Sequence, residues 1–172
     1  MGLRRPGQPP EPLKKTGKPL RQATMQRTAL SGRYQNLCLD AKGFFEAKDY
    51  DTALKIYTQA ATLAPPGDLN ALKGMCRCTR KTARKALKKG DYIQVQTLLD
   101  QLMKNPRVHP LLTGKDYLVL AEAALENQAL AHCANALQKA LEIKPELAEA
   151  AHALQKRLKT EQLHQDMRGM QF

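Results

Sequence analysis

The sequence predicts an all-α fold made of helix hairpins packed side by side. Three observations carry that prediction. The apolar residues available for a core are chiefly Leu and Ala, with 5% aromatic residues and no Trp, a mixture that favours helices over a β-sandwich. From about residue 31 onward apolar residues recur at helical spacing, while Pro and Gly fall mostly between the periodic segments. The segments also open and close alike: Lys48-Asp49-Tyr50-Asp51 and Gly90-Asp91-Tyr92-Ile93 each start an apolar stripe that ends at Pro65 or Pro106. A third copy, weaker at its start, ends in ALQKALEIKP at Pro145.

Residues 1–30 read as a disordered basic tail. Pro6, Pro9, Pro10, Pro12 and Pro19 block regular structure, and Arg4, Arg5, Lys14, Lys15, Lys18, Arg21 and Arg27 oppose only Glu11. Such a tail suits a nuclear-import or nucleic-acid arm, and equally a solvated linker. The helical domain is expected over 31–165. Tyr34, Leu37, Ala41, Phe44 and Phe45 mark a first helix. Asp49 caps a second, whose stripe is Ala53, Ile56, Tyr57, Ala60 and Ala61, and Pro65 and Pro66 end it. Asp68 caps a long third helix and Gly90 closes it at C′. Asp91 opens a fourth with Val95, Leu98, Leu99 and Leu102 inward. Residues 114–126 and 128–143 form the next pair, and a helix from about Pro145 to Gln165 has one apolar stripe and a charged opposite face, as a terminal cap would. Residues 166–172 are expected to be disordered.

The third helix is the most polarised part of the chain. At about 100° per residue, Lys73, Arg77, Arg80, Lys81, Arg84, Lys85, Lys88 and Lys89 share one half of its circumference, and Leu72, Met75, Cys76, Thr79, Thr82, Ala83, Ala86 and Leu87 the other. The net charge of +12 is lopsided in the same sense: residues 1–89 hold 19 Lys and Arg against 6 Asp and Glu, residues 90–172 hold 9 against 10. A basic half joined to a neutral half points to an acidic or polyanionic partner met on one side.

With these residues in view, the sequence resembles the tetratricopeptide (TPR) family, whose repeat is about 34 residues of helix–turn–helix. The pattern of small and aromatic residues followed by proline is carried in residues 34–67 by Ala41, Phe44, Ala53, Tyr57, Ala60 and Pro65. A second unit from about Cys76 keeps Ala83, with Ala86, Val95 and Leu99 looser and Pro106 one residue early. A third from Gly114 keeps Ala121, Ala140 and Pro145. The resemblance covers roughly residues 34–160 and implies a short TPR-like α-solenoid of about three units plus a capping helix. In the family, first helices line a concave groove that holds a partner's peptide. Carried over unit by unit, the groove positions are Gln35, Cys38, Leu39, Lys42 and Glu46, then Arg77, Arg80, Lys81, Arg84 and Lys88, then Lys115, Leu118, Val119, Glu122 and Glu126. The charge periodicity and the family register thus place the same cations in the groove.

The implied peptide-binding residues are Gln35, Lys42, Arg77, Arg80, Lys81, Arg84, Lys88 and Lys115, and the implied partner is a protein with an acidic or phosphorylated segment, since Arg pairs bidentately with carboxylate and phosphate. Against this, Glu122 and Glu126 could neutralise Arg84 and Lys88, leaving Arg77, Arg80 and Lys81 unpaired. The clamp by which some family members hold chaperone tails is not reproduced: of Cys38, Lys42, Lys81, Lys115 and Val119, only Lys115 fits. A groove filled by the chain's own tail is disfavoured, because both are basic.

Other classes find little support. His109, His132, His152 and His164 form no metal-spaced pair, Cys76 and Cys78 lie about 200° apart on a helix, and no phosphate loop or nucleophile elbow is present. An enzyme, a cofactor and a small-molecule substrate are therefore not expected. Free thiols in a reducing compartment are, which places the chain in the cytoplasm, the nucleus or both. No apolar run reaches the roughly 18 residues of a membrane span, the start lacks a secretory apolar region, and Pro6 stands where myristoylation would need Ser or Thr. The alternative is nucleic-acid association, with tail and third helix on phosphates; no aromatic interleaves the basic run to stack on bases.

Overall fold

The computed structural model of the chain describes the backbone of residues 18–170 and the side chains of residues 29–170. Among the described residues there are no strands and seven α-helices: α1 (Lys18–Glu46), α2 (Tyr50–Leu63), α3 (Asn70–Lys88), α4 (Tyr92–Met103), α5 (Gly114–Glu126), α6 (Leu130–Ile143) and α7 (Ala148–Gly169). Short 3₁₀ turns occupy Pro106–Leu111 and Pro145–Leu147. Each helix packs on the next, and α1 also touches α3 as α5 touches α7. The fold is all-α and repeat-like, with its helices packed in chain order.

Three helix ends are built identically. Lys48, Gly90 and Gln128 have φ of 64°, 74° and 61°. Their N–H groups donate to Phe45, Leu87 and Leu125, each at 3.0 Å, and the next residues, Asp49, Asp91 and Ala129, donate to Phe44, Ala86 and Ala124 at 3.0, 3.0 and 2.8 Å. This paired closure satisfies the last carbonyls of α1, α3 and α5 and turns the chain back. Asp49 and Asp91 then cap α2 and α4, accepting from the N–H of Thr52 and Gln94 at 3.1 and 3.0 Å. With units counted from Tyr34, Cys76 and Gly114, the three turns fall at one register, and so do the buried Ala41, Ala83 and Ala121. Small residues there let neighbouring helices approach closely.

The helix limits follow local chemistry. Ala64, which precedes Pro65, is extended at ψ 131°, as steric conflict with the proline ring requires, so α2 stops. Asp68 does serve α3, accepting the Asn70 N–H at 2.7 Å, although the N-cap itself is Leu69. Two limits differ from the expectation. Helix α1 begins at Lys18, inside the segment read as tail; Pro19 then lies in the first turn, where a missing N–H costs nothing. Residues 1–17 of that tail lie outside the described residues, as do 171–172, whereas α7 continues through Gly169 and so takes in most of the segment expected to be disordered.

Two apolar clusters form the core, and α3 belongs to both. Its first half gives Ala71, Leu72, Met75 and Cys76 to a cluster with Tyr34, Ala60 and Leu102. Its second half gives Ala83 and Ala86 to a cluster with Val95, Leu99, Leu120 and Leu137. Gly74 lies where a Cβ would collide with the Tyr57 ring, so the close α2–α3 contact depends on the missing side chain. Phe44, which holds the aromatic position of the first unit's pattern, is 41% exposed; its neighbour Phe45 packs on Tyr50, ring centroids 5.2 Å apart.

Candidate functional site

The split predicted for α3 is realised. Ala71, Leu72, Gly74, Met75, Cys76, Cys78, Thr79, Thr82, Ala83 and Ala86 are buried, and Lys73, Arg77, Lys81, Arg84, Lys85, Lys88 and Lys89 are exposed. Cys76 and Cys78 are both buried, although they point in opposed directions, because α3 is covered on both flanks. Burial pushes both thiols up, Cys78 to about 11, away from the thiolate form. Among the described residues, none of the seven exposed cations lies within ion-pairing distance of a carboxylate. Arg77 has a different neighbour: its guanidinium carbon sits 5.1 Å from the centre of the Phe45 ring, a cation–π contact between α3 and α1.

Two clefts flank this helix. The larger, about 630 Å³, runs between α1 and α3 and is lined by Gln35, Leu39, Lys42, Tyr57, Asp68, Lys73 and Arg77 among others. The smaller, about 230 Å³, lies between α3 and α5 and is lined by Arg80, Arg84, Thr113, Lys115 and Asp116 with Ala83, Leu99 and Val119. The expected site residues therefore separate into Gln35, Lys42 and Arg77 on one side of α3 and Arg80, Arg84 and Lys115 on the other. Lys81 and Lys88 are exposed on α3 and line neither cleft.

Arg80 corrects the expectation. It was grouped with the unpaired cations, but its Nε donates to Asp116 Oδ1 at 2.7 Å and its Nη2 to Asp116 Oδ2 at 2.6 Å and to the Leu111 carbonyl at 2.8 Å. Asp116 is 5% exposed and also accepts from the Thr113 N–H and hydroxyl at 2.8 and 2.9 Å. Burial pushes the Asp116 carboxyl up, but the bonds from Arg80 and Thr113 outweigh it and hold the group below the ordinary aspartate value. Arg80 thus pins the start of α5 to α3, with Nε and Nη2 of its guanidinium already committed. The proposed neutralisation by Glu122 and Glu126 does not occur either: Glu126 pairs with Arg157 of α7, and neither carboxylate bonds to α3.

Sequence reasoning missed two contributors. Lys73, on the basic stripe, and the Tyr57 ring both line the larger cleft. The role of Asp116 had a local signal: Thr113-Gly-Lys-Asp116 has the spacing of an N-terminal capping box, which places a carboxylate in the first turn of α5 beside the second unit's cations. Among the described residues no helix is long and apolar enough to cross a membrane. No protein-family model matches the chain, and no curated protein matches it at a significant level.

Proposed function

We propose that this chain is a TPR-like, non-enzymatic adaptor that holds an acidic or phosphorylated segment of a partner protein on the exposed face of α3 and in the clefts beside it. One observation carries the reading: seven cations crowd one side of a single helix, exposed and without a carboxylate partner among the described residues. Like charges one turn apart repel, and a bound anion would relieve that repulsion. Arg77 and Arg84 offer guanidinium forks suited to carboxylate or phosphate, with Lys42, Lys81, Lys88 and Lys115 as supporting point charges. Free thiols at Cys38, Cys76, Cys78 and Cys133 fit a reducing compartment, cytoplasm or nucleus.

The test compares wild-type protein with the Arg77→Glu/Lys81→Glu/Arg84→Glu variant. Fluorescence polarisation would follow a labelled glutamate-rich peptide, a short single-stranded RNA and a short duplex DNA. The peptide is expected to bind in a salt-dependent manner, and the variant to lose about tenfold or more in affinity. Tighter binding of RNA or DNA than of peptide, lost in the same variant, would replace this reading with nucleic-acid association.

A further inference from the structure

We infer that the α1/α3 cleft is a two-part seat, in which an apolar side chain of the bound segment rests on Leu39 and the Tyr57 ring while a carboxylate or phosphate beside it is held by Lys42 and Arg77. This deepens the adaptor reading above and rests on it. Leu39 is 67% exposed. An exposed leucine alone is ordinary, but this one edges a cleft whose opposite wall contains Gly74 and the Tyr57 ring that packs on it. The cleft's volume, about 630 Å³, falls in the range of small-ligand clefts.

The charges within the cleft are ordered along its length. Helices α1 and α3 run in the same direction, since α2 returns antiparallel between them. On α1 the cation Lys42 follows Leu39 by three residues and lies 3.8 Å from the exposed Glu46, a surface pair with which a bound anion competes, and on α3 Arg77 follows Gly74 by three. Each step is about 4.5 Å along a helix axis, or one to two residues of extended peptide. Arg77 is held toward this end by its contact with Phe45. Asp68 lines the opposite end, where it repels a second acidic group. Lys73 extends the positive field at the rim. The complementary segment therefore has one apolar residue with an acidic or phosphorylated residue adjacent to it or one position removed, and no acidic run on the other flank.

Selection from a randomised short-peptide display library on wild-type protein, Leu39→Gln and Lys42→Gln/Arg77→Gln would test this. Leu39 and Lys42 are largely exposed, so these variants should retain the helical circular-dichroism signal of the wild type. Wild-type protein should enrich peptides that pair an apolar residue with Asp or Glu at that spacing. Leu39→Gln should lose the apolar preference and keep the acidic one, and a synthesised winning peptide should bind it about tenfold more weakly, the size of one lost aliphatic contact. Lys42→Gln/Arg77→Gln should lose the acidic preference. Enrichment of acidic residues with no apolar preference, or one that survives Leu39→Gln, overturns the two-part seat and leaves the adaptor reading standing. Enrichment of no acidic residue overturns both.

Discussion

The two clefts beside α3 draw on one helix and one type of side chain, yet they use their arginines in opposite ways. Arg77, facing α1, lies over an aromatic ring and keeps its guanidinium hydrogens unpaired among the described residues. Arg80, three residues later, spends its guanidinium on Asp116 and the Leu111 carbonyl. Both lie on the charged half of α3, about 60° apart around its axis. The distinction comes from the neighbour: α1 presents Leu39 and Lys42, whereas α5 presents a buried carboxylate in its first turn. A stripe of like charges can therefore combine a structural strut with groups left for a ligand.

The largest expected effect comes from removing the strut. Asp116→Ala leaves Arg80 half-buried without a carboxylate and the Thr113 N–H without its acceptor, and should cost about 3 kcal/mol, read from the urea midpoint. A change within about 0.5 kcal/mol would erase the contrast between the clefts. The pH dependence follows the same group. The folded-state value of Asp116 is depressed, so its contribution is fully present above the unfolded aspartate value of about 3.9 and is lost as pH falls through the lower folded value. Wild-type stability should therefore fall below about pH 4, and Asp116→Asn, which cannot titrate, should flatten that fall.

Next in size is Gly74→Ala, which acts on the other cleft. The new methyl meets the Tyr57 ring, so the ring or the α2–α3 spacing must shift, at about 2 kcal/mol by thermal melting. Smaller still are Lys48→Gly and Gln128→Gly, at the turns of the hairpins on either side of α3. Both residues occupy left-handed backbone that glycine adopts without strain, as Gly90 already does. Each substitution should raise stability by about 0.5–1 kcal/mol. Equal gains would show that the two turns carry the same backbone strain.

Much of the framework was legible in the sequence because it is local. Asp49, Asp91 and the prolines gave the limits of α2 and α4 to within a few residues, and the repeated Asp-Tyr starts gave the common register. The turn at Gln128 was visible only by alignment to Lys48 and Gly90, since no glycine marks it. The start of α1 was missed because Pro19 reads as a breaker everywhere except in a first helical turn. The exposed face of α3 was predicted from charge periodicity, but the fate of Arg80 was not. Its partner lies 36 residues away, and only the packing of α5 on the rest of the fold brings the two together.

The smallest effect on stability should come from Lys81→Gln, and its sign is informative. Lys81 follows Arg77 by four residues and precedes Lys85 by four, so it meets a like charge on the turn above and the turn below. Each such pair destabilises a helix by about 0.2–0.5 kcal/mol, so neutralising Lys81 should raise stability by a few tenths of a kcal/mol. The gain should shrink as salt screens the repulsion, which urea titrations at low and high ionic strength would read. Arg80→Gln should show the reverse sign, a loss of about 2 kcal/mol, because it leaves Asp116 short of its principal partner. A loss on Lys81→Gln would mean that this lysine, too, serves the fold. The stripe available to a ligand would then narrow to the residues bordering the two clefts.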